Sequence, residues 1–217
     1  MADIFHEVDE EVRRERLKQL WDRYSLLIII VCLLIVAGIG GWRGYDWYIQ
    51  REAAKAGARF EAAVMLMDQG KTKEAEAAFA DVAKTAPGGY QILARLREAN
   101  ALALSDKDGA VKVYDAIAQD GSVAAALQDL ASVRAGLLLV DTAALADMRR
   151  RLEPLADSSR AFRHSARELL ALSAWRNTDA SAAKKYLDEI AKDGETPAGV
   201  RARADVIGAL IAGSGKG

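Results

Sequence analysis

The sequence predicts an all-α chain: an N-terminal amphipathic helix, one transmembrane helix, then an α-solenoid of helix pairs with degenerate repeats. Three observations carry this. First, Tyr24 to Trp42, "YSLLIIIVCLLIVAGIGGW", is nineteen residues long and holds no Asp, Glu, Lys or Arg. Second, outside that stretch no run of β-branched residues alternates with period two; Ala, Leu, Arg, Glu and Lys dominate and Pro occurs only three times. Third, "GKTKEAEAAFADVA" (Gly70–Ala83) aligns with "SDKDGAVKVYDAIA" (Ser105–Ala118) at an offset of 35 residues, pairing Ala75 with Ala110, Phe79 with Tyr114, Val82 with Ile117 and Ala83 with Ala118.

Residues 1–23 form a charged arm. Ile4, Val8 and Val12 fall at i, i+4 and i+8, with Leu17, Leu20, Trp21 and Tyr24 following one turn apart, the spacing of one helical face. Asp9 with Arg13 and Glu10 with Arg14 are acid-before-base pairs at i, i+4 that favour a helix in water. The arm either fixes topology or docks to a cytoplasmic or membrane partner; His6 reads as a lone surface histidine.

Residues 24–42 form the span. Nineteen helical residues rise roughly 28 Å, close to the hydrocarbon thickness of about 30 Å. Trp21, Tyr24, Trp42 and Trp47, with Tyr45 and Tyr48, sit at its ends, where amphipathic rings favour the headgroup layer, so they are read as interface anchors to the lipid bilayer. A cleavable signal needs a short basic start and an apolar core of roughly 7–15 residues. Here the preceding segment carries seven acidic residues and the only small-x-small pattern is Gly38-Ile39-Gly40. Cys32 lacks the small residue that should precede a lipidated cysteine. Arg13, Arg14, Arg16, Lys18 and Arg23 outnumber Arg43, Arg51 and Lys55 across the span, which favours a cytoplasmic N-terminus and an outward, periplasmic C-terminal part at a bacterial inner membrane. Ala37 with Gly41 and Gly40 with Gly44 have the small-xxx-small spacing of packed membrane helices.

The remainder starts with a juxtamembrane helix over 43–55 and continues as one domain over 56–212, ending in a flexible tail, 213–217. The whole chain has 30 Lys+Arg against 31 Asp+Glu, so no basic surface for nucleic acid is implied. The single cysteine lies in the span, which leaves an outward domain without disulfides.

The first pair, with a helix around Ala56–Met67, Gly70 at the turn, Ala75, Phe79 and then Pro87, resembles the tetratricopeptide pattern of about 34 residues per unit. A second, about 90–122, keeps the second-helix residues but has Arg97 and Glu98 where the pattern has Leu and a small residue. A third, about 123–157, is degenerate, with Pro154 inside its second helical segment, where a kink or late helix start is expected. A fourth, about 160–196, recovers with Leu170-Ala171, Ala183, Leu187 and Ile190, and "AGVRARADVIGALIAG" reads as a capping helix. The resemblance implies that Ala75, Ala110 and Ala183 let neighbouring helices approach while Phe79, Tyr114 and Leu187 fill the gaps. It also places Phe60, Val64, Met67, Ile92, Ala99, Leu102, Leu172 and Trp175 toward a concave face. These eight are either core residues of a compact stack or a groove for an apolar peptide.

Catalytic constellations are missing. His6 and His164 fall on opposite sides of the span, Cys32 lies within it, and no phosphate loop, nucleophile elbow or HExxH helix occurs. No enzyme activity, metal, cofactor or small-molecule substrate is expected. The order of parts resembles the family of ancillary subunits of the SecYEG translocon, which implies association with that channel and the handing of exported chains to periplasmic chaperones. The alternative is a scaffold for another envelope machine, such as cell division or cytochrome maturation.

Overall fold

The computed structural model describes residues 3–214, with side chains for residues 18, 21, 23–27 and 29–213. The arm's expected pairs Asp9–Arg13 and Glu10–Arg14, its stripe from Ile4 to Leu20, His6 and the last three tail residues lie outside the described groups. Among the described residues there are nine α-helices, one 3-10 turn and no strand: α1 Asp3–Asp68, α2 Thr72–Thr85, α3 Gly89–Leu102, α4 Lys107–Ala118, α5 Ala125–Leu139, α6 Leu145–Leu152, the 3-10 turn Glu153–Leu155, α7 Arg163–Arg176, α8 Ala180–Lys192 and α9 Ala198–Ser214. The chain is all-α.

Two compact units divide it, 1–52 and 53–217. In the first, α1 carries the apolar stretch, which is long and apolar enough to cross a membrane and has no residue buried by the protein. Trp21, Tyr24, Trp42 and Trp47 are all exposed, the guanidinium of Arg23 lies 5.8 Å from the Tyr24 ring centroid and that of Arg51 lies 5.3 Å from the Trp47 centroid. Such contacts suit an interface where ring and cation share the headgroup layer.

The second unit is built of helix pairs. The C-terminal part of α1 closes on α2 through a glycine cap: Gly70 has φ +74°, Lys71 N–H donates to Leu66 O at 2.9 Å and Gly70 N–H to Met67 O at 3.0 Å. That left-handed residue costs a glycine no Cβ clash and satisfies two carbonyls at the helix end. The turn between α7 and α8 repeats the geometry with Thr178 at φ +60°, Asp179 N–H reaching Ala174 O at 2.9 Å and Thr178 N–H reaching Trp175 O at 2.9 Å. Here the next helix is also capped, since the Asp179 carboxylate accepts from Ala182 N–H at 2.9 Å; Asp106 does the same for α4 through Gly109 N–H.

Small residues against rings hold the pairs together. Ala63, Ala75 and Phe79 form one buried cluster, with Phe60 packed edge-on to Phe79 at 5.5 Å between centroids. Ala56, Val82, Ala83, Ala86 and Ala94 form the next, and a Cβ on Gly57 would come within 2.8 Å of the Tyr90 hydroxyl, so glycine there lets α1 and α3 approach. Leu96, Ala99, Ala110, Tyr114, Ile117, Ala131 and Ala135 fill the middle. A larger cluster from Met148 to Ile207 joins α6, α7, α8 and α9.

Pro154 acts earlier than a kink would. α6 stops at Leu152, and Pro154 sits in the 3-10 turn that follows, where its ring nitrogen has no N–H to carry the helical hydrogen bonding onward, although Glu153 before it keeps helical backbone angles. The second helix of the third pair is therefore only eight residues long.

Candidate functional site

The first helix of each pair is the C-terminal part of α1, then α3, α5 and α7; the second helices are α2, α4, α6 and α8. The six packing positions, Ala75, Phe79, Ala110, Tyr114, Ala183 and Leu187, are all buried. Of the residues expected on a concave face, Ala99 has no exposed surface and cannot touch a partner. Phe60, Val64 and Met67 are half-buried against the Phe79 cluster, Ile92 and Leu102 against the Tyr114 cluster, and Leu172 and Trp175 against the C-terminal cluster. Their apolar surface is thus largely spent on the stack.

The exposed sides of the first helices carry other residues. Met65 of α1 is 60% exposed, Leu93 of α3 is 45% exposed, Leu104 in the turn after α3 is 70% exposed, and Leu137 of α5 is 53% exposed. On α3, Leu93, Arg97 and Asn100 recur at i, i+4 and i+7; on α5, Leu130, Arg134 and Leu137 recur at i, i+4 and i+7. Leu93, Arg97, Asn100, Leu130 and Arg134 line a cleft of about 220 Å³, with Leu96 and Tyr114 at its floor. Tyr114 donates to Asn100 Oδ1 at 2.6 Å, which orients that amide, and burial pushes the tyrosine's ionisation up. Neighbouring Glu98 is half-buried and its carboxyl is likewise raised by burial.

A second and larger cleft, about 560 Å³, opens between α4, α5 and α6, where the shortness of α6 leaves space. It is closed at one side by Arg151, whose guanidinium is bidentate on Asp115, and Arg150 is paired with Asp147. Its ions are mutually satisfied.

A polar network replaces packing near the C-terminus. Arg163 Nε and Arg167 Nη1 donate to Asp193 at 2.8 and 2.9 Å, and Arg167 Nε donates to Ala156 O at 3.0 Å. The Arg163 guanidinium, helped by Arg167, holds the Asp193 carboxyl far below the ordinary carboxylate range. His164 is buried; Thr196 donates its hydroxyl to Ile190 O at 2.8 Å and therefore accepts from His164 Nδ1–H at 3.2 Å. Burial lowers the histidine's pKa, and the cations Arg163 and Arg167 add to that. Tyr186 donates to Glu153 at 2.7 Å, and its hydroxyl pKa is pushed up to about 12, by burial first and by that carboxylate second. These groups tie α7, α8 and the turn before α9 together. Among the described residues no group of three or more His, Cys, Asp or Glu side chains is placed to hold a metal.

Helix pairs stacked through small–aromatic contacts, with exposed residues along the first helices, define a helical-repeat interaction module. The chain belongs to the tetratricopeptide repeat-like domain family, whose pattern it matches over residues 18–170, a stretch that begins ahead of the apolar span and ends in α7. No curated protein and no solved structure matches the chain. Domains of this family mediate protein–protein interactions, and that is the role the family assigns here.

Proposed function

We propose that the protein is a single-span, non-enzymatic adaptor of a bacterial inner membrane, accessory to the Sec translocon, with a cytoplasmic N-terminus. Its repeat domain receives exported chains in the periplasm and passes them to chaperones. The observation that carries this reading is an unburied apolar stretch long enough to cross a membrane, followed along the chain by the first helix of an interaction repeat. The excess of basic residues before the span supports the orientation. On this reading the segments are arm 1–23, span 24–42, juxtamembrane helix 43–55, repeat domain 56–212 and tail 213–217.

Photo-crosslinking residues at Leu34 in the span and at Leu104 in the exposed turn after α3 test it in living cells. Channel subunits at Leu34, together with chaperones or newly exported proteins at Leu104, are expected. Division or cytochrome-assembly proteins at both sites would replace the translocon reading with the scaffold reading. Protease added to spheroplasts is expected to digest the repeat domain; its survival would reverse the topology.

A further inference from the structure

Arginine partners separate one face of the repeat unit from all the others. Arg59, Arg95, Arg149, Arg150, Arg151, Arg160, Arg163, Arg167 and Arg203 each engage a carboxylate, and Arg176 and Arg201 each donate to a backbone carbonyl. Among the described residues from Ala53 to Ser214, Arg97 and Arg134 alone of the arginines make neither an ion pair nor a hydrogen bond; both are exposed, on successive first helices, and they line the same cleft of about 220 Å³. No carboxylate lines that cleft. Its walls are completed by Leu93, Leu130 and the amide of Asn100, above the floor of Leu96 and Tyr114. Because Asn100 Oδ1 is taken by the Tyr114 hydroxyl, the side-chain nitrogen is left with two N–H donors and no acceptor among the described residues.

We infer that this face between α3 and α5 binds an extended acidic peptide segment in which Asp or Glu alternates with an apolar residue. The deduction follows from complementarity. Two unpaired guanidiniums favour carboxylates, which they meet in fork geometry. The leucines favour a branched aliphatic side chain between those carboxylates, and the Asn100 amide suits a peptide carbonyl, which an extended segment presents and an inorganic anion lacks. Peptide side chains that alternate in direction allow leucine to enter the cleft while carboxylates lie along its rim. This deepens the adaptor reading and rests on it only for where such a peptide comes from. The same positions explain why the second repeat departs from the family pattern at Arg97: the residue there faces a partner and not the stack.

The test uses the full chain in detergent micelles and a fluorescein-labelled peptide of alternating Asp and Leu, followed by polarisation. Saturable binding is expected, weakened by about tenfold when Asn replaces Asp in the peptide and by a similar factor in Arg97→Gln or Arg134→Gln. Leu93→Ser is expected to weaken it as well, and raising the salt to screen the exposed charges should lower the affinity of the wild type but leave the double glutamine variant little changed. Both arginines lack protein partners, so the variants keep the wild-type helical circular dichroism and thermal midpoint. Equal affinity for the Asp–Leu and Asn–Leu peptides, or unchanged binding in the double variant, would overturn the inference. Displacement of the peptide by phosphatidylglycerol at equal charge would give the face to lipid, and self-association abolished by the glutamine variants would give it to a second copy; either overturns the peptide assignment. The two readings fail separately. Peptide binding without any crosslink to exported proteins removes the adaptor role and keeps the site, whereas crosslinks that persist in the double glutamine variant keep the adaptor role and remove the site.

Discussion

The first and fourth helix pairs reach one backbone motif by two kinds of chemistry. In the first, Gly70 occupies the left-handed position, no side chain caps the next helix, and Phe60 and Phe79 fill the interior; the nearby pair Arg59–Asp81 is at 3.6 Å and exposed. In the fourth, Thr178 is forced into the left-handed position, Asp179 caps α8, and Arg167, His164 and Asp193 form a polar lining beside Leu170, Tyr186 and Ile190. The difference teaches that two repeats can share their packing residues and turn geometry while the turn and its lining use different chemistry, apolar in one and charge-paired in the other.

Substitutions can test how deep that difference runs. Phe79→Ala removes a ring that is 1% exposed and should cost about 3–5 kcal/mol, read as a lower urea midpoint of the full chain in detergent. Arg167→Ala in the fourth pair strips a buried cation from Asp193 and from the Ala156 carbonyl, with an expected loss of about 3 kcal/mol. Adding Asp193→Asn should recover part of that loss, whereas no second change beside Phe79→Ala should recover anything short of refilling the void. Thr178→Gly should stabilise by about 1 kcal/mol by relieving a β-branched residue at positive φ, and Gly70→Thr should destabilise by a similar amount.

The smallest effect is expected from pH. The folded state lowers the His164 pKa, so the neutral ring is favoured and its stabilisation is fully present above the unfolded value of 6.5. As pH falls below that value the unfolded chain takes up the proton first, and stability declines until the folded ring also titrates. Asp193, whose folded pKa is depressed, gives stability that is present above the unfolded carboxylate value of 3.8 and is lost further down in acid. Tryptophan fluorescence at Trp175 between pH 7 and 5 should therefore report a drop in thermal midpoint that His164→Gln removes. A flat profile in the wild type would show that the histidine keeps its ordinary pKa in the fold.

Most of the architecture was legible because packing leaves periodic traces. Ala75 with Phe79 and Ala110 with Tyr114 mark helix-to-helix contacts at fixed spacing, and Gly70 marks a turn that needs positive φ. The turn at Thr178 carries no such mark, since threonine does not announce a left-handed conformation. The candidate face was harder to read. Arg97 and Arg134 stand in the sequence as two arginines among many, and only three-dimensional placement shows that their fellows are paired and they are not. The stripe Leu93–Arg97–Asn100 was the available signal, lying beside the half-buried Ile92 and the buried Ala99, each one residue away in the sequence.

The early end of α6 matters for how the repeat array folds. In a stack where each helix pair contacts only its neighbours, cooperativity passes from pair to pair through those interfaces, and the weakest junction sets where the array divides. The eight-residue α6 makes less contact with α5 and α7 than the longer helices make with their own partners, and across the cleft beside it the Arg151–Asp115 fork is the bridge to α4. The junction at α6 is therefore expected to be the first place where the array loosens. Hydrogen exchange of the full chain is expected to show the amide protons of α6 exchanging before those of the helices on either side.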